Sequence, residues 1–154
     1  AVSQPTTASR SIEIAASPEA VYDTISDVTR TGEWSPECHT CVWLGEPGQV
    51  GSRFKGSNKS GPLRWSTTAE VTAADRGREF AFATVFRGRP VTQWTYTMSA
   101  SDGGTTLTES FESVSTPLAI RIAEVLVLRN RQAQLERGLE QTLARIKAIV
   151  EARP

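Results

Sequence analysis

The chain has 154 residues, of which 38% are hydrophobic and 22% are charged, and this suits one globular domain with a core of its own. Its 17 basic and 17 acidic residues cancel, which argues against nucleic acid as an obligatory partner. The longest apolar stretch, Leu118–Leu128, contains Arg121 and Glu124 and is far shorter than the ~20 residues that span a bilayer. We therefore expect no integral membrane association.

The first nine residues are polar and lack the basic and apolar regions of a secretory signal. We expect residues 1–9 to be a disordered lead-in, residues 10–152 to form a single domain, and the protein to be cytoplasmic. The sequence leaves the oligomeric state open.

The first predicted elements are a strand over Arg10–Ala16 and a helix that begins at Ser17-Pro18-Glu19-Ala20. Ser17 is a good N-cap, Pro18 suits the first helical position, and Glu19 lies at the positive end of the helix dipole. We expect one or two short helices here, ending near Gly32.

Six further strands are predicted between Cys38 and Ser115, separated by turns rich in Gly and Pro. No connection has room for a crossover helix, so neighbouring strands should pair antiparallel. The predicted strands are Cys38–Glu46, Gly51–Asn58, Leu63–Ala74, Arg78–Arg87, Val91–Ala100 and Thr105–Ser115.

The alternation of side chains places large aromatic residues on one face of this sheet and Thr, Ser and charged residues on the other. On the fifth strand, for example, Phe80, Phe82 and Phe86 share the apolar face.

After Pro117 the pattern turns helical to about Ala152. An apolar stripe at helical spacing predicts that this helix covers the aromatic face; it consists of Leu135, Leu139, Leu143, Ile146 and Val150. The predicted fold class is α+β, with a curved antiparallel sheet of about seven strands wrapped around a long C-terminal helix.

Several short motifs accompany this order of elements: Ser17-Pro18-Glu19-Ala20-Val21-Tyr22, Gly32-Glu33-Trp34-Ser35-Pro36, Gly51-Ser52-Arg53-Phe54, Arg64-Trp65 and Thr108-Glu109-Ser110-Phe111. Together they resemble the START-related helix-grip superfamily (SRPBCC), and within it the polyketide cyclase/dehydrase and lipid-transport group. The resemblance implies a hydrophobic cavity between helix and sheet that binds lipids, polyketides, sterols or similar molecules. The group includes both enzymes and carriers, and no catalytic motif matches residue by residue.

With the resemblance, the apolar face becomes a candidate ligand site; without it, a solid core explains the same residues. The candidate binding residues are Phe54, Asn58, Trp65, Phe80, Phe82, Trp94, Tyr96, Glu109, Phe111, Leu135 and Leu139. Asn58 has a second interpretation, as a cap of the turn that begins there.

Glu109 lies by alternation between Leu107 and Phe111 on the apolar face, where an unpaired carboxylate is costly. We expect a raised pKa or a polar partner. Glu109 is predicted either to orient a ligand hydroxyl or carbonyl, to exchange protons with Tyr96 as a catalytic pair, or to form a structural hydrogen bond with Tyr96, Trp94 or an arginine.

Basic residues gather at the predicted hairpin tips of one end of the sheet, at Lys59, Arg64, Arg87 and Arg89. They either bind an acidic head group of the ligand at the entrance of the pocket or are solvated residues of the hairpin tips.

The cysteines of Cys38-His39-Thr40-Cys41 are expected on opposite faces of a strand about 10 Å apart, too far for a disulfide. A zinc site would need two more ligands, and His39 is the only histidine. We predict no metal and no cofactor.

The function predicted first is binding of a hydrophobic or amphipathic small molecule. The alternatives are a metal-free cyclase or dehydratase that uses Glu109 and Tyr96, and a protein-interaction module that docks through Leu118–Leu128.

Overall fold

The computed structural model describes residues 7–113 and 131–152. Seven strands form one antiparallel sheet in the order β1-β7-β6-β5-β4-β3-β2. The strands are β1 Thr7–Ile14, β2 Cys38–Trp43, β3 Arg53–Ser60, β4 Leu63–Asp75, β5 Glu79–Phe86, β6 Arg89–Ser101 and β7 Gly104–Ser113. The helices are α1 Pro18–Ile25, a 3₁₀ helix Val28–Glu33 and α2 Arg131–Glu151. The predicted α+β fold, with its short helices between the first two strands, is confirmed.

The start of the sheet differs from the prediction. Strand β1 begins at Thr7 and pairs with β7 from that residue onward, so residues 7–9 are not part of a disordered lead-in. Residues 1–6 and the apolar stretch Leu118–Leu128 lie outside the described residues. Within those that are described, no helix is long and apolar enough to cross a membrane.

Helix α1 begins as the sequence predicts. The Ser17 hydroxyl accepts a hydrogen bond from the Ala20 amide at 3.2 Å, and Pro18 occupies the first turn. The helix buries Val21, Tyr22 and Ile25, and the Tyr22 ring meets the Phe80 ring edge-on at 6.0 Å. This packing closes one end of the concave face of the sheet.

Helix α2 is held along β1 by polar contacts. Arg10 lies 3.0 Å from Glu136 and 3.1 Å from Glu140, and Lys147 donates to the Glu13 carbonyl at 2.7 Å. Such half-exposed ion pairs add little stability individually. These contacts join α2 to β1 from Arg10 to Glu13.

The predicted apolar stripe of α2 is confirmed. Leu139, Leu143, Ile146 and Val150 are buried and Leu135 is partly buried. The C-terminal half of the helix packs into a solid core that includes Ile14, Val21, Phe80, Met98 and Leu107. Burying each large aliphatic side chain stabilises the fold by about 1.5–3 kcal/mol.

Three strands carry one extra residue at a register shift: His39 in β2, Thr72 in β4, and Val91 in β6 opposite Thr84 and Val85 of β5. A β-bulge bends its strand and increases the local twist. Phe86, predicted to share the apolar face with Phe80 and Phe82, is instead 54% exposed at the last position of β5, where the Arg87 guanidinium lies 5.3 Å from the centre of its ring.

Candidate functional site

A cavity of about 570 Å³ lies between the concave face of the sheet and the N-terminal half of α2. This volume falls within the roughly 300–1,000 Å³ of pockets that hold drug-sized ligands. Strands β2 to β7 and the segment that follows the 3₁₀ helix supply the remaining walls. The large apolar residues that line the cavity are Trp34, Phe54, Trp65, Phe82, Trp94, Phe111, Leu135 and Leu139.

Small residues keep this end of the molecule open. Gly138 and Thr142 of α2 line the cavity, whereas Leu143, Ile146 and Val150, further along the helix, fill the core. A Cβ built on Gly138 meets no described atom within 4 Å. The same helix therefore packs tightly with one half and leaves space with the other.

The aromatic walls are fixed by ring contacts across the strands. Trp94 and Phe111 are cross-strand partners whose rings meet edge-on at 4.9 Å. Phe54 of β3 and Phe82 of β5 lie on strands separated by β4, and their rings meet edge-on at 5.1 Å. Edge-to-face pairs contribute about 0.5–1.5 kcal/mol beyond the burial of their area. The apolar walls are therefore preformed.

The structure brings the candidate binding residues together, with one exception. Phe54, Asn58, Trp65, Phe82, Trp94, Tyr96, Glu109, Phe111, Leu135 and Leu139 all line the cavity. Phe80 does not, because it is fully buried in the core, where its ring lies against those of Tyr22 and Phe82. Whether the lining residues bind a ligand stays a prediction.

Asn58 lies inside β3, two residues before the strand ends, and does not cap the turn. Its side-chain amide donates to the hydroxyl of Thr67 on β4 at 3.2 Å, and both residues line the cavity. Thr67 was missed in the sequence, although it shares the face of Trp65 and Ala69 by alternation.

Glu109 and Tyr96 are cross-strand partners deep in the cavity wall, and both are buried. Burial raises the pKa of Glu109 to about 8, opposed by a hydrogen bond with the Tyr96 hydroxyl. Burial, together with the nearby Glu109 carboxyl, also raises the pKa of Tyr96. At neutral pH both groups are therefore largely protonated.

The two carboxyl oxygens of Glu109 differ in their hydrogen bonding. Among the described residues, Oε1 has no hydrogen-bond partner and is shielded from solvent. A buried polar atom without a partner destabilises the fold by about 1–3 kcal/mol. A ligand group that paired with it would recover that free energy, once a small rotation of the carboxyl turned Oε1 towards the cavity.

The basic residues at the hairpin tips do not line the cavity: Lys59, Arg64, Arg87 and Arg89 are all absent from its wall. Arg137 of α2 does line it, is exposed, and forms no ion pair with a described residue. The sequence placed Arg137 off the apolar stripe, but it lies between Leu135 and Leu139 and so reaches the rim.

The prediction that Cys38 and Cys41 lie on opposite faces of a strand is wrong. Cys38 and Cys41 both line the cavity, with their sulfur atoms 3.2 Å apart, instead of lying on opposite faces. The register shift in β2 inserts one extra residue between them and brings both side chains to the same face. In the described part of the chain, no group of three or more His, Cys, Asp or Glu side chains is arranged to hold a metal ion.

Comparison with known proteins gives a family and a fold. The family model for polyketide cyclase / dehydrase and lipid transport matches residues 5–151. A Polyketide_cyc-like protein from Corynebacterium glutamicum is 34% identical, with a TM-score of 0.69, over 97% of this chain and 94% of its own. No protein with a curated description gave a match.

More distant structures share the fold. The aromatase/cyclase Zhui from a Streptomyces species is 17% identical, with a TM-score of 0.73, over 97% of this chain and 96% of its own. The di-domain aromatase/cyclase StfQ of the steffimycin biosynthetic pathway is 12% identical, with a TM-score of 0.74, over 96% of this chain and 51% of its own.

Proposed function

This chain belongs to the polyketide cyclase/dehydrase and lipid transport family, and on that premise we propose that it binds one hydrophobic or amphipathic small molecule, a lipid or a polyketide-like compound, between the sheet and α2. The observation that carries the proposal is the cavity of about 570 Å³, walled by paired aromatic rings and lined by Glu109, whose carboxyl keeps one oxygen unpartnered among the described residues. A mostly apolar pocket with a few converging polar groups is typical of small-molecule sites.

The polar groups define what such a ligand should carry. Protonated Glu109 and Tyr96 offer neutral donors and acceptors, which suit a hydroxyl or carbonyl better than an anion. Arg137 at the exposed edge suits an acidic group on the other end of the molecule. The proposed ligand is therefore an apolar body with a hydroxyl or carbonyl at its buried end.

Gly138 provides a test that separates cavity binding from surface binding. Both Gly138→Ala and Gly138→Leu improve helix propensity, so both variants should fold. Only the leucine side chain extends far into the open space. We expect a fluorescent fatty-acid analogue to bind the wild type and Gly138→Ala similarly, and to bind Gly138→Leu at least about tenfold more weakly, a loss of about 1.4 kcal/mol.

The alanine variant is the matched control, because it changes the same backbone position with little change in volume. Equal affinity for all three proteins would place the probe outside the cavity and remove the support for the proposal.

A second candidate function is catalysis. A carboxyl with a pKa of about 8 beside a tyrosine hydroxyl is suited to donating and accepting a proton near neutral pH. The aromatase/cyclase function of Zhui and StfQ makes cyclisation or dehydration of a polyketide-like chain the reaction to consider. A cyclase would lose turnover and keep its affinity in Glu109→Gln, whereas a carrier would show no turnover in either form.

Two expectations from the sequence remain proposals. A cytoplasmic location accords with a carrier or biosynthetic role. Docking of a protein partner through Leu118–Leu128 concerns residues outside those described, and no observation favours it over binding in the cavity.

A further inference from the structure

The two cysteines of the chain lie side by side in the wall of the cavity. The sulfur atoms of Cys38 and Cys41 are 3.2 Å apart, and Cys41 is buried. A disulfide needs an S–S distance of about 2.05 Å, so a shift of roughly 1 Å joins them. These are the only cysteines in the sequence.

The backbone explains why these sulfurs meet. Cys38 pairs with Asn58 and Cys41 pairs with Gly56, two residues apart on the same face of β3. The register shift therefore gives the cysteines the spacing of residues i and i+2, roughly 6.6 Å between Cα atoms. That spacing falls within the roughly 4.4–6.8 Å that a disulfide bridges.

The surroundings leave room for the bond. Gly56 lies opposite the pair, and a Cβ built on it would be 3.4 Å from the sulfur of Cys38 and 3.5 Å from that of Cys41. Because Gly56 has no Cβ, its side of β3 does not crowd the two sulfurs. Both cysteines line the cavity, so a small oxidant that enters it comes next to the pair.

The two thiols also differ in acidity. A hydrogen bond from Cys38 lowers the pKa of Cys41 to about 7, against the opposing effect of burial, with a further contribution from Thr31. The same interaction raises the pKa of Cys38, as does its burial. Cys41 is therefore the better nucleophile at neutral pH, because the thiolate is the reactive form.

We propose that Cys38 and Cys41 form a reversible disulfide in the wall of the cavity and that hydroperoxides are the oxidant. The Cys41 thiolate attacks hydrogen peroxide, breaks the O–O bond and becomes a sulfenic acid, while the released hydroxide takes up the proton that Cys41 has lost. The Cys38 thiol then attacks the sulfenic sulfur, forms the S–S bond and expels water. Two thiols and one peroxide give one disulfide and two waters.

The bond would change the site in two ways. It removes both S–H groups from the cavity wall, and it ties the start of β2 to its middle. Cys38 directly follows the segment Trp34–Glu37, which lines the same cavity. Oxidation would therefore stiffen the entry of that segment into the sheet.

Intact mass measurement tests the proposal on the wild-type protein. We expect hydrogen peroxide to lower the mass of the native monomer by two hydrogen atoms and to abolish labelling of both thiols by iodoacetamide. A phosphine reductant should restore both. Persistence of two free thiols, a covalent dimer, or stable addition of oxygen atoms would overturn the proposal.

A variant and a labelling experiment test the order of attack. In Cys38→Ser, the sulfenic acid on Cys41 has no thiol to resolve it and should be trapped by dimedone. In the reduced wild type at neutral pH, a substoichiometric amount of iodoacetamide should alkylate Cys41 at least about tenfold more often than Cys38, because Cys41 is the more acidic thiol of the pair. Equal labelling of the two cysteines, read by peptide mapping, would contradict the assigned roles.

A glutathione redox buffer tests whether the fold itself favours the bond. At one buffer composition, the ratio of disulfide to dithiol should be at least about tenfold higher in the native protein than in the same protein in urea. An equal ratio would mean that the spacing in sequence alone is responsible, and the proposed site in the cavity wall would be wrong.

Discussion

At the scale of single residues, Glu109 combines features that a purely structural carboxylate rarely has. It is 3% exposed, faces a cavity, and keeps one oxygen without a partner among the described residues. A carboxyl that served only the fold would be expected to have both oxygens paired or exposed. The destabilisation that this unpartnered oxygen causes is therefore best explained by a functional role of Glu109.

The pKa of Glu109 makes a prediction about stability. The folded protein holds the proton up to about pH 8, the raised pKa of Glu109, whereas the unfolded chain releases it near the ordinary pKa of 4.5. Between these values the folded state binds more protons, so the free energy of unfolding should fall as pH rises, by up to about 1.4 kcal/mol per pH unit. Glu109→Gln should remove this dependence.

Urea unfolding at several pH values between about 5 and 9 measures this effect. Relative to wild type, Glu109→Gln should become steadily more stable as pH rises through that window. Glu112→Gln on the same strand is the control, because its side chain is exposed and its replacement should shift stability by a constant amount. A constant offset for Glu109→Gln would mean that this carboxyl is ionised in the folded protein.

At the scale of elements, the contact between the 3₁₀ helix and β2 fixes one rim of the cavity. Gly32 lies so close to β2 that a Cβ there would collide with the backbone carbonyl oxygen of His39. His39 is the extra residue of the register shift that brings Cys38 and Cys41 together. Rotation of a side chain cannot relieve a collision with a backbone atom, so the backbone itself would have to shift.

Gly32→Ala should therefore destabilise the protein by about 1–3 kcal/mol, as overpacked sites do. Chemical denaturation gives the value. Gly103→Ala is the matched control, since a Cβ there meets no described atom within 4 Å, and it should change stability by less than about 0.5 kcal/mol. Similar values for both variants would show that β2 yields easily at this contact.

The secondary-structure elements also show how much of the fold could be predicted from the sequence. Alternation and turn residues predict the strands, their pairing and the apolar face, because each depends on local spacing. A β-bulge leaves no such signature. The meeting of Cys38 with Cys41 follows a register shift that the residue types do not signal. The exposure of Phe86 accompanies its place at the last position of β5, outside the cavity lining, which alternation alone does not reveal.

The site itself was partly predictable for a related reason. Residues that line the cavity lie on the predicted apolar face, so alternation finds Trp65, Trp94 and Glu109. It does not distinguish Phe82, at the cavity, from Phe80, in the solid core. That difference depends on which half of α2 lies opposite, a feature that alternation along a strand does not contain.

At the scale of the whole molecule, one sheet and one helix perform two tasks. The C-terminal half of α2, with α1, closes a packed core that stabilises the fold. The N-terminal half leaves a preformed space that the aromatic rings keep open. A packed core normally contains few voids larger than a water molecule, so a space of about 570 Å³ must be maintained by rigid walls or filled by a ligand.

Native mass spectrometry of the freshly purified protein, followed by extraction and identification of bound molecules, tests ligand binding most directly. We predict a discrete adduct of one apolar molecule that bears a hydroxyl or carbonyl group, present on the wild type and on Gly138→Ala and depleted from Gly138→Leu. A clean unliganded mass, with no uptake from a panel of fatty acids and aromatic polyketides, would contradict the proposed function.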